Sequence, residues 1–275
     1  MSETAIISGT GALPTLLART LSARNEPFVV CQLEGYPTEV EGGAQIEFRV
    51  ERLVPFLNTL VERGVRRVVF GGAARRPQLD LRAFDTATAE LVPRLMGAMQ
   101  DGDDATLREV IAIFEEWDLK VVGAHDVAPD LVPGAGILTG TPGEGDQRDA
   151  ARAAGIVEAL GSVDVGQSAV VAQGLCLAIE ALPGTDAMLD FVAATQPLTL
   201  RPDPAGAKGI LYKAPKPGQE RRVDLPAIGP TTVRKAAAAG LGGVVWEAGG
   251  VLCIDREGMI AEAEKAGMFL WSRQA

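Results

Sequence analysis

The stretch AIISGTGALPTLLARTLSARNEPFVVCQL, residues 5–33, decides the fold. Ala5–Ser8 is a short apolar strand, Gly-Thr-Gly at 9–11 a turn, and Leu13 to Ala23 repeats apolar side chains at helical spacing. Phe28–Leu33 then runs without polar alternation, as a strand covered on both faces of a parallel sheet does. The alternation continues downstream. Val50 to Arg63 predicts an amphipathic helix with Leu53, Phe56, Leu57 and Leu60 on one face. Val65–Phe70 reads as a third strand ending in Gly71-Gly72, followed by helices at about 87–99 and 106–117 and a strand at Leu119–Val122. Strands alternating with helices predict a doubly wound parallel sheet over residues 1–132.

Prolines and glycines crowd residues 129–145, so 133–146 reads as a linker with a short central strand. A second domain is expected over 147–275. It holds helices at about 147–160, 186–194, 231–239 and 257–266. Its strands are expected at about 168–173, 175–181, 209–213, 243–246, 251–254 and 268–271, with Glu247–Gly250 as a hairpin turn.

The chain has 275 residues, 47% of them hydrophobic, a mean hydropathy of +0.14 and a net charge of −10. It can bury a sizeable core, and its acidity argues against nucleic acid and against a polybasic membrane anchor. No stretch reaches the roughly 18–20 apolar residues of a membrane span, and the N-terminus lacks the features of a signal peptide. Cys31, Cys176 and Cys253 sit in apolar runs without CxxC spacing and read as buried free thiols of a reducing cytosol. With one histidine, His125, a multi-histidine metal cluster cannot be built.

The segment Leu211–Pro230 is the most informative for chemistry. Four prolines stiffen a loop that carries Lys213, Lys216, Arg221, Arg222 and Asp224. Cations beside a carboxylate suit a phosphate or diphosphate ester bound with a metal ion. In the first domain, Gly9–Pro14 joins strand to helix, and Gly11 and Ala12 offer backbone amides to a phosphate. The match to the dinucleotide fingerprint is partial, because Pro14 replaces the third glycine; Glu34 ends the second strand where a ribose-binding carboxylate would sit. Gly72 and Arg75 follow the third strand, and His125 follows the fourth. Asp103 or Asp104 reads as a helix N-cap. In the second domain Gly166, Gln167, Thr185 and Asp186 are candidate ligand contacts. Glu180, Asp186 and Asp224 are a candidate hard-metal set.

These residues carry a resemblance. GTGALP (9–14), GGAARRP (71–77), GDDATLR (102–108), GAHDV (123–127), VDVGQSAVV (163–171), AIEALPGTDAM (178–188) and KAPKPGQERRVDLPAIGPTTV (213–233) run in order over nearly the whole chain. Together they resemble the UDP-2,3-diacylglucosamine pyrophosphatases of lipid A biosynthesis that are unrelated to calcineurin-like phosphoesterases. The resemblance implies a Rossmann-like N-terminal domain and a smaller mixed α/β C-terminal domain, with substrate between them. It implies Mg²⁺-dependent hydrolysis of a nucleotide-sugar diphosphate to UMP and 2,3-diacylglucosamine 1-phosphate, with the essential aspartate at Asp224. On that reading Asp224, Lys213 and Arg222 are catalytic. Gly11, Ala12, Gly72, Arg75, His125, Gly166, Gln167, Thr185 and Asp186 contact substrate, and Asp224 with Glu180 holds the metal. The expected location is cytoplasmic, with peripheral contact at the inner membrane and a homodimer admitted as associations. An NAD-dependent oxidoreductase using Gly9, Gly11 and Glu34, and a non-catalytic nucleotide-sugar binding protein, are the alternatives.

Overall fold

The computed structural model describes residues 3–36, 38–73, 79–80, 82–100, 102–195 and 202–275, without the Asp103 side chain. The chain divides into two compact units, residues 1–129 with 220–224, and residues 130–219 with 225–275.

The first unit is built from β1 (Glu3–Ser8), α1 (Leu13–Ala23), β2 (Phe28–Leu33), β3 (Ala44–Phe48), α2 (Leu53–Glu62), β4 (Val65–Gly71), α3 (Thr86–Ala89), α4 (Val92–Gln100), α5 (Asp103–Glu116), β5 (Lys120–Val122) and α6 (Ala124–Val127). Its five strands are all parallel in the order β3-β2-β1-β4-β5. This is the expected doubly wound sheet, and the order reverses between β1 and β4. α1 and β2 have the predicted bounds. α2 buries the four predicted residues Leu53, Phe56, Leu57 and Leu60, although Val50–Arg52 is a 3-10 turn ahead of it. They pack with Val29, Val68, Phe114 and Leu119 into one core.

Two elements differ from expectation. The stretch 87–99 is two helices, because Pro93 lacks the amide proton that would continue the helix onto the Ala89 carbonyl, where α3 ends. Asp85 caps α3, accepting from the Ala87 and Thr88 amides at 3.1 and 3.0 Å. β3 has no counterpart in the sequence reading. It is a sheet-edge strand that buries no residue fully, so its apolar signal is weak.

The second unit contains β6 (Gly136–Thr139), α7 (Glu144–Ser162), β7 (Ser168–Ala172), β8 (Leu175–Ile179), α8 (Gly184–Thr195), β9 (Ile210–Lys213), β10 (Ala227–Ile228), α9 (Pro230–Ala238), β11 (Gly243–Glu247), β12 (Leu252–Cys253), α10 (Arg256–Ala266) and β13 (Phe269–Arg273). Six strands form a mixed sheet in the order β6-β13-β11-β9-β7-β8. β13, β11 and β9 are parallel, while β6 and the β7–β8 hairpin are antiparallel additions at its two sides. The short strand expected inside the linker is thus an edge of this sheet. Glu247–Gly250 turns but makes no hairpin, since β12 pairs with β10 instead. On one face, Val170, Leu211, Val244 and Leu270 pack with Met188, Val233 and Met259 from α8, α9 and α10. On the other, Ala169, Val171, Ile210, Tyr212 and Val245 pack against Ala150, Ala153 and Val157 of α7.

The β7–β8 turn places Gln173 and Gly174 at positive φ, +52° and +79°, as a two-residue hairpin turn of matching twist requires. Buried Asp149 of α7 accepts both turn amides, Gln173 at 2.8 Å and Gly174 at 2.7 Å. Cys31 and Cys253 are buried, and burial pushes both thiols up to about 12. Cys176 departs from expectation: it lies exposed on β8, the edge strand.

Candidate functional site

The switch point between β1 and β4 holds the two glycine-bearing loops singled out in the sequence. They are joined by backbone. Gly9 N–H donates to Gly71 O at 2.7 Å, Thr10 N–H to Ala73 O at 2.8 Å and Ala73 N–H to Thr10 O at 3.1 Å. A Cβ on Gly9 would stand 2.6 Å from the Ala73 carbonyl oxygen, and Gly72, at φ +88°, would meet the Thr10 carbonyl. These two glycines therefore serve loop-to-loop contact. Gly11 is different. It has φ +93° and nothing within 4 Å of its would-be Cβ, and with exposed Ala12, the N-cap of α1, it stands at the helix start. The close helix–strand approach that a third fingerprint glycine would permit comes from Gly71, whose Cβ would meet the Leu17 side chain at 2.9 Å. Glu34 pairs with Arg49 at 2.9 Å. His125, on α6 beyond β5, has Nε2 3.8 Å from Asp126, while its Nδ1 is buried without a partner among the described residues. Arg75 lies outside the described residues.

Residues 220–224, read as part of the second domain's proline-rich loop, belong to the first unit. The Glu220 amide donates to Asp104 Oδ1 at 2.9 Å, and the Val223 and Asp224 amides donate to Glu220 O at 3.3 and 3.2 Å, closing a turn. Arg222 forks onto Glu220, Nε to Oε1 at 3.0 Å and Nη2 to Oε2 at 2.8 Å, and its Nη1 donates to Glu115 Oε1 at 2.8 Å. The Arg222 hydrogen bond holds the Glu220 carboxyl below its usual range, against the opposing effect of burial. Asp104 is not an N-cap, because Gly102 holds that position; its second oxygen accepts from Arg108 Nε at 2.7 Å. The roles of Asp104 and Glu115 were not legible, since nothing in a helical charge pattern says which distant segment a carboxylate receives.

In the second unit the register sets Lys213 of β9 between Ser168 of β7 and Trp246 of β11. Lys213 is only 6% exposed. Its Nζ donates to Thr185 Oγ1 at 2.7 Å, the Thr185 hydroxyl donates to Glu180 Oε1 at 3.0 Å, and the Ser168 hydroxyl donates to Glu180 Oε2 at 2.6 Å. Gly166 permits this, because a Cβ there would collide with the Glu180 carbonyl. The Gln167 carbonyl oxygen accepts from the Ala214 amide at 3.0 Å, while its side-chain Oε1 is buried without a partner among the described residues. Fully buried Trp246 leaves its indole nitrogen in the same condition. Such polar atoms call for a partner that water or a ligand supplies. Asp186, on the first turn of α8, approaches Lys235 at 4.0 Å.

Of the residues expected at a metal, Glu180 accepts a hydroxyl on each of its carboxylate oxygens. Among the described residues no three His, Cys, Asp or Glu side chains group to hold a metal ion. Mg²⁺ does not need such a group, since it is commonly held by one or two carboxylates together with water and substrate phosphate.

Two family models cover the chain, the LpxI N-terminal domain over residues 3–131 and the LpxI C-terminal domain over 134–271. The chain belongs to the LpxI family. It is 37% identical over 272 residues to UDP-2,3-diacylglucosamine pyrophosphatase LpxI of Caulobacter vibrioides, covering 98% of this chain and 97% of that protein. Among solved structures, the GalE-like L-threonine dehydrogenase of Cupriavidus necator is 11% identical, covering 99% of this chain and 86% of its own, at a TM-score of 0.34, too low to carry an argument. The family membership does not favour the oxidoreductase reading, and the Glu34 carboxylate on which that reading leaned is paired with Arg49.

Proposed function

We propose that the chain hydrolyses the diphosphate of UDP-2,3-diacylglucosamine, water opening the P–O–P bridge to give UMP and 2,3-diacylglucosamine 1-phosphate, a step of lipid A biosynthesis. The observation that carries this reading is the end-to-end relationship to a pyrophosphatase of that name, 37% identical over 98% of the chain. The arrangement of polar groups agrees with it. Lys213 is a nearly buried cation oriented by a hydroxyl, the kind of preorganised charge that stabilises developing negative oxygens. Asp224 serves as the carboxylate that positions water or holds Mg²⁺ with the substrate's phosphates. Bound Mg²⁺ supplies neutralisation of the diphosphate charge. Gly11 and Ala12 at the α1 N-terminus suit a phosphate oxygen.

No helix of the described residues is long and apolar enough to cross a membrane. A diacylated substrate nevertheless resides in one, and exposed Ile179, Leu182 and Phe191 support a peripheral contact through the second unit.

The test is UMP release from UDP-2,3-diacylglucosamine with Mg²⁺, with EDTA, and with Asp224→Ala. Release that needs the metal and disappears in a folded Asp224→Ala protein is the expected result. No release from folded wild type, with a thermal shift on adding NAD(H), would replace this reading with an oxidoreductase. Binding of UDP-sugar without release would make it a binding protein.

A further inference from the structure

We propose that Arg222 is a positioning residue that fixes Asp224, and that it does not itself grip the diphosphate. This rests on the reading of Asp224 given above. The guanidinium is already committed: its fork lies on both Glu220 oxygens at 3.0 and 2.8 Å and its remaining Nη1 on Glu115 at 2.8 Å. Three of its five N–H donors are thus engaged, including the Nε–Nη2 fork by which arginine grips an anion side-on, and two carboxylates place negative charge where a phosphate would approach.

The rest of the turn shows what this achieves. Glu220 is pinned by its amide to Asp104 in the first turn of α5, while Arg222 reaches Glu115 near the end of the same helix. The anchors are eleven residues apart (115 − 104), roughly 16 Å along the axis at 1.5 Å per residue. Two widely spaced anchors fix the direction of a short segment as well as its place. The turn closes through the Val223 and Asp224 amides onto Glu220 O, so Asp224 is rigidly tied to the residue that the arginine fork holds. Asp224 is the last residue of the segment before the chain returns to the second unit.

A charge exchange tests this. In Arg222→Glu with Glu115→Arg, one guanidinium still faces two carboxylates, at positions 222 and 220, but no cation remains at 222 for a phosphate. Arg222→Glu and Glu115→Arg alone should each lower kcat with little change in KM, and each should speed hydrogen exchange at the Val223 and Asp224 amides. The exchanged pair should recover at least about 10-fold in kcat over Arg222→Glu, a coupling expected only of side chains in contact, and should slow the amides again. Glu115→Gln, which leaves Arg222 in place, should reproduce the lower kcat and faster exchange in a milder form. An exchanged pair no more active than Arg222→Glu alone, or Glu115→Gln with unchanged kcat, overturns the proposal and returns Arg222 to the phosphate. Absence of UMP release by wild type strikes the pyrophosphatase reading instead, and the amide series then still decides whether Arg222 holds the turn.

Discussion

Thr185 stands between a cation and a carboxylate, accepting from Lys213 and donating to Glu180. A threonine in the first turn of a helix has a ready explanation as a capping residue, and only the strand register across β7 and β9 reveals the other one. Without the hydroxyl, Lys213 and Glu180 each lose a hydrogen bond in a nearly dry setting. Thr185→Val should therefore cost about 1–3 kcal/mol of stability in urea unfolding. It should also lower kcat for UMP release by about 10- to 100-fold through misplacement of the ammonium, with Thr185→Ser restoring most of both. A Thr185→Val enzyme of normal kcat would remove Lys213 positioning from the mechanism. Glu180, expected at a metal, is at this scale the carboxylate end of a chain that begins at the lysine.

The turn 220–224 packs on the first unit although the chain on both sides of it belongs to the second. Its charges and the prolines that flank it at 215, 217 and 226 mark a stiff loop, but which unit it packs on is not legible, because five residues carry no pattern that names a partner helix. Its attachment should depend on pH. The Arg222 hydrogen bond depresses the folded Glu220 pKa. A depressed acid contributes stability that is present above its unfolded value, about 4.3, and that is lost as pH falls through the folded value. Melting temperatures measured from pH 7 to pH 3 should show Glu220→Gln less stable than wild type at neutral pH and the two curves converging in acid. Parallel curves would mean the pair contributes nothing to folding. Elsewhere the elements that sequence located best, α1 and β2, bury a continuous apolar face or both faces. The ones it missed, β3 and β10, are an edge strand and a two-residue strand with little burial to advertise them.

At the scale of the whole molecule, a chain of net charge −10 is ill suited to electrostatic attraction by an anionic membrane, so the peripheral contact proposed above would be apolar. Leu182 is 100% exposed and Phe191 55%. Sedimentation with phospholipid vesicles should be insensitive to salt. It should fall about 10-fold or more in Leu182→Glu with Phe191→Glu, since burying one such side chain is worth about 1.5–3 kcal/mol. Equal sedimentation of the variant would remove this surface from membrane contact. The parallel first sheet, the mixed second unit and the family are legible in the amino-acid order alone, because strand–helix alternation and continuous apolar runs are local and a string of short motifs in order is specific. Tertiary structure alone decided what the polar residues do. It set Glu180 as the acceptor of the Thr185 and Ser168 hydroxyls, and it set Arg222 on Glu115 and Glu220. It also showed that the glycines at 9 and 72 serve the pairing of two loops. Burial is written in a residue's own chemistry, whereas the partner of a hydrogen bond or an ion pair depends on where a distant segment of chain returns.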